Sequence, residues 1–206
     1  MSMFYELMMK KKGMPSRYQE VEYIESTGTQ YINTGIVPTM DISFKLVASK
    51  VGSYVDNNMF GSRKTSGTST DLLGIITNIS LGVNILILCN SGAGWGGSNS
   101  CYITYDNDFH IYIATKDTLT IDTNTIQHTA QNYSTNDLPM YLFGLNNRGN
   151  AQLSAQKVKS LQISDNNRLV RNYIPVYDTL TNKYGMWESV QGKFYGNAGT
   201  GDFTGA

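Results

Sequence analysis

"DISFKLVAS", residues 41–49, alternates at period two. Ile42, Phe44, Leu46 and Ala48 fall on one face, and Asp41, Ser43 and Lys45 on the other. That period is the mark of a β-strand with one face in a core and one in water. The same reading places Phe109, Ile111 and Ile113 of "FHIYIA" inward, with His110 and Tyr112 outward, and takes Leu119 and Ile121 of "TLTID" inward. "LLGIIT", "NILILC" and "MYLFGL" are continuous apolar runs, short enough to be strands buried on both sides. Turn-forming stretches separate these segments: "GSRKTSGTST", "NSGAGWGGSNS", "DTNT", "NNRGN", "SDNNR" and "LTNK". Many short strands with frequent turn signals describe a sandwich or barrel. The expected core is Ile42, Phe44, Leu46, Phe109, Ile111, Ile113, Leu119, Ile121, Tyr141, Phe143, Leu161 and Ile163.

The composition agrees. Charged residues make up 16% of the 206, against about 25% in an average soluble domain. Polarity comes instead from Ser, Thr, Asn and Gly, which suit turns and exposed strand faces better than helices. Acids and bases number 16 each, so no net field favours nucleic acid or an anionic membrane. No run approaches the roughly 18 apolar residues of a membrane span. The start, "MSMFYELMMKKKG", carries its positive charges after the apolar residues, the reverse of a secretory signal. Synthesis in a cytoplasm without export by that route is expected.

Only this N-terminal stretch reads as helix. Phe4, Leu7 and Met8 fall at i, i+3 and i+4, Ser2 can cap the start, and Gly13 and Pro15 end the segment. The expected organisation is a helical extension over residues 1–17 and one sandwich domain over 18–206. So short a helix is marginal without packing. It docks either on its own sandwich or on a neighbouring subunit. The second is expected, with Phe4, Leu7 and Met8 as an assembly anchor and the chain as a homo-oligomer.

"EVEYIESTGTQYINTGI" (residues 20–36), "LPMYLFGLNNRGN" (138–150), "KVKSLQISDNNRLVRNYIPV" (157–176) and "VQGKFYGNAGTGDFTG" (190–205) together resemble a family of jelly-roll modules. These are the concanavalin A-like, laminin G-like modules found in gut phages, prophages and bacteria. The resemblance implies an all-β, antiparallel two-sheet jelly-roll sandwich. It makes Ser26 to Thr29 a turn between the first strands, with Gly28 supplying a conformation closed to other residues and Gly35 ending the next strand. The family's "GLYD" is "GMWE" here, so Trp187 stands for a tyrosine and Glu188 for an aspartate. Trp187 is expected in the core.

Glucanases of this class use carboxylates about 5 Å apart. Glu20, Glu22 and Glu25 in "EVEYIE" match that pattern superficially, but in an edge strand and without flanking tryptophans. No G-x-S-x-G elbow or phosphate-binding loop occurs. Cys89 and Cys101 make no zinc site with His110 and His128; they are two reduced thiols or a disulfide across the loop between them. No cofactor is expected. Asp106, Asn107 and Asp108 are either calcium ligands or ordinary turn formers. In "NSGAGWGGSNS", Trp95 stands among glycines and serines with no apolar neighbour. It is a sugar-stacking platform with Asn99 and Tyr102 beside it, a protein contact, or an edge plug. The function expected is a non-enzymatic phage structural or adhesion protein located in the virion, joined to other virion or surface proteins through the N-terminal segment and able to bind glycans. The alternative is a lectin-like module on the surface of a gut bacterium.

Overall fold

The computed structural model describes residues 13–51, 58–64, 73–78, 83–88, 100–104, 106–127 and 136–206. The N-terminal helix, with Phe4, Leu7 and Met8, lies outside the described residues. The described chain is all-β, with two sheets that share one core.

The first sheet holds β1 (Tyr18–Glu20), β2 (Ile24–Thr27), β4 (Ile42–Lys50), β9 (His110–Ala114), β10 (Thr118–Ile121), β11 (Asn124–Gln127), β15 (Ala155–Asp165), β16 (Arg168–Asp178), β17 (Lys183–Glu188), β18 (Lys193–Tyr195) and β19 (Thr204–Gly205). Its path runs β11-β10-β9-β4-β15-β16-β17-β18. β2 pairs with the start of β15 and β1 with the end of β16, so the N-terminal strands fill the gap where those two long strands part. The second sheet holds β3 (Ile32–Asn33), β5 (Asn58–Arg63), β6 (Leu73–Asn78), β7 (Val83–Leu88), β8 (Ser100–Thr104), β12 (Tyr141–Leu142), β13 (Gly144–Asn147) and β14 (Asn150–Leu153). Its path is β14-β13-β5-β6-β7-β8, with β12 bridging β3 and β5.

Two of the turns read from sequence, "SDNNR" and "NNRGN", are hairpin turns, whereas "GSRKTSGTST" begins inside β5 with Gly61 to Arg63, and its residues from 65 on lie outside the described residues. Asn166 and Asn167 join β15 to β16, and Arg148 and Gly149 join β13 to β14. Each pair has positive φ at both residues, the geometry that matches the right-handed strand twist and favours Asn and Gly. At Gly28 φ is +101°, as the expected turn requires, and the Ser26 hydroxyl accepts the Gly28 amide at 3.0 Å.

Ile42, Phe44, Leu46, Ala48, Leu119, Ile121, Phe143, Leu161 and Ile163 are buried, and the Phe44 and Phe60 rings meet edge to face at 4.8 Å between the sheets. Two readings of apolar runs are corrected. "MYLFGL" is two strands: β12 runs antiparallel to β5 and β13 parallel to it, with the chain reversing at Phe143 (φ 72°). In "FHIYIA" the faces are exchanged. His110, Tyr112 and Ala114 are buried, Ile111 is 38% exposed, and Phe109 and Ile113 are half-buried on the outer side. Register explains the exchange: Ala48, Leu46 and Phe44 pair with His110, Tyr112 and Ala114. Large side chains there meet small ones, Phe44 against Ala114 and His110 against Ala48, as interdigitating cores require. Tyr141 is half-buried and lies 4.5 Å from the ring of Tyr31.

A second apolar cluster lies on the outer face of the first sheet. Tyr18, Val176 and Trp187 are buried there, with Met14 and Phe194 against them. Trp187 is therefore buried, but apart from the main core. Gly185 makes room for the Phe194 ring, since a Cβ there would stand 2.4 Å from Phe194 Cζ. Met14 to Arg17 are bound to this region: the Arg17 carbonyl accepts the Thr179 amide at 3.0 Å, and the Arg17 guanidinium pairs with buried Asp178 at 3.3 Å.

Candidate functional site

Trp95 and Asn99 lie outside the described residues, as do Cys89 and His128. Tyr102 is in β8, its backbone paired with Ile85. β7 ends at Leu88 and β8 begins at Ser100, which pairs with Ile87. Cys101 is buried, its Sγ 3.3 Å from the Asn124 carbonyl oxygen.

Of Asp106, Asn107 and Asp108, read as calcium ligands or turn formers, Asp106 has other partners. Asp106 Oδ1 accepts the Asp108 amide at 2.8 Å and faces His110 Nε2 at 2.8 Å. His110 Nδ1 faces Asp122 Oδ2 at 2.7 Å, and Asp122 Oδ1 accepts the Ile111 amide at 2.9 Å. Among the described residues no group of three or more His, Cys, Asp or Glu side chains could hold a metal ion. A buried histidine thus joins the β8–β9 loop to the β10–β11 turn. Burial alone would lower its pKa. The hydrogen bonds and charges of Asp122 and Asp106 outweigh burial and raise it above the ordinary histidine value. A group whose pKa rises on folding stabilises fully below its unfolded pKa, near 6.5, and that contribution is lost as pH rises through the folded value. Urea midpoints should therefore fall on the alkaline side of about pH 6.5. His110→Gln should flatten that limb and cost about 2 kcal/mol at pH 6, as expected for loss of a charge-assisted hydrogen bond. Equal alkaline limbs in the two proteins would refute the assignment.

The exchanged faces of β9 place Phe109 and Ile111 on the outer side of the first sheet, and residues of the resembling segments meet them there. The Lys159 ammonium lies 4.2 Å from the Phe109 ring centre and 2.7 Å from Glu22 Oε1. The Lys157 ammonium lies 4.8 Å from the Tyr23 ring centre and 3.9 Å from Glu25 Oε2, and the two rings are 6.0 Å apart. Lys159, by hydrogen bond and charge, holds the Glu22 carboxyl below the usual carboxylate range. Lys45 and Val47 of β4 stand beside Ile113 and Ile111. The face can supply apolar contact, aromatic edges and charges of both signs. Sequence reasoning missed it because hydrophobicity alone assigned Phe109, Ile111 and Ile113 to the interior.

The class defined by these features is an all-β, two-sheet sandwich with an outward face of aromatic rings, aliphatics and lysines. No protein-family model matches the chain, and no curated protein matches it either.

Proposed function

We propose that the chain is a non-enzymatic jelly-roll module of concanavalin A-like type, serving as a structural or adhesive part of a phage particle. The observation that carries this reading is the use made of the acids in "EVEYIE". Glu22 and Glu25 are tied to different lysines beside aromatic rings, an arrangement suited to contact rather than to acid–base work on a bond. The resembling segments also pair with one another: β1 with β16, β2 with β15 and β19, and β3 with β12. The particle role itself rests on the resemblance.

Glycan binding through Trp95 with Asn99 and Tyr102 belongs to the adhesive arm of this proposal, as does attachment through Phe4, Leu7 and Met8. A glycan array read with wild type and Trp95→Ala tests the first. Binding lost in the variant, with an unchanged melting temperature, supports adhesion; a blank array leaves the structural role alone. Release of reducing ends from β-glucans, abolished by Glu22→Gln, would replace the proposal with a hydrolase. Neighbouring capsid and tail genes would favour the particle, and neighbouring polysaccharide-utilisation genes a bacterial surface lectin.

A further inference from the structure

We draw no further inference here: the strongest candidate, the outer face of the first sheet around Phe109 and Ile111, carries nothing, because its acids Glu22 and Glu25 are already paired with Lys159 and Lys157 of the same chain and nothing in the structure shows what covers it.

Discussion

Phe143→Ala should cost about 3–5 kcal/mol of folding stability, and Phe143→Gly no more than that. The first half follows from burial. The ring is fully buried and packs 4.7 Å from the ring of Phe203, near the C-terminus. The second half inverts the usual order, since glycine in a strand normally costs about 0.5–1 kcal/mol more than alanine. Here φ is 72°, because the chain passes from antiparallel to parallel pairing with β5 within one residue. Its amide donates to the Met59 carbonyl at 3.1 Å and its carbonyl accepts the Ser154 amide at 3.0 Å, so both sides hold the reversal in place. A side chain in that backbone region costs about 1–2 kcal/mol, which alanine retains and glycine relieves. Phe143→Gly is expected to equal or exceed Phe143→Ala by about 1 kcal/mol in urea denaturation. A glycine variant weaker than alanine by the ordinary margin would show that the reversal stores no strain.

Phe143 also marks how far the fold was legible in the sequence. Alternation found β4 and β10 with their faces correct, because Ser43 and Lys45 in β4 and Thr118 and Thr120 in β10 contrast with the apolar residues between them. "MYLFGL" has no such contrast, and its single structural break is made by a phenylalanine, a residue no turn rule selects. "FHIYIA" failed for a different reason. Both of its faces are apolar enough to be buried, and the choice was made by register against β4 and by Asp106 and Asp122, which lie outside the strand. The outer face could not be foreseen for the same cause, since it is composed of β2, β4, β9 and β15, far apart in sequence. Hairpin turns were read correctly, being local: "DNNR" and "NRGN" need only residues that tolerate positive φ.

Glu188→Ala should destabilise the fold by about 3–5 kcal/mol, the cost of removing one partner from a buried, charge-assisted network. Glu188 is fully buried. Its Oε1 accepts the amides of Asn172 at 2.9 Å and Val190 at 2.8 Å, and its Oε2 accepts the amide of Gln191 at 2.8 Å. Alanine would leave three amide donors without that acceptor, the Asn172 amide among them at a buried residue. Glu188→Gln keeps the volume but must turn an NH₂ toward at least one of those amides, so it should recover only part of the loss. Aspartate, the residue of the resembling modules, is one methylene shorter and cannot span from the Asn172 amide on β16 to the β17–β18 turn without moving that turn. Its cost should fall between those of glutamine and alanine. The same turn leads into β18 and sets Phe194 5.2 Å from Tyr18, which in turn lies 5.1 Å from Trp187. Losing the carboxylate should therefore loosen the outer aromatic cluster before the main core. In a Trp95→Phe background, where Trp187 is the only tryptophan, its emission should shift to the red at lower urea than the far-UV transition once Glu188→Ala is added, while the two coincide without it. Coincident transitions in the variant, or a loss under about 1 kcal/mol, would mean that the turn is held by its backbone alone.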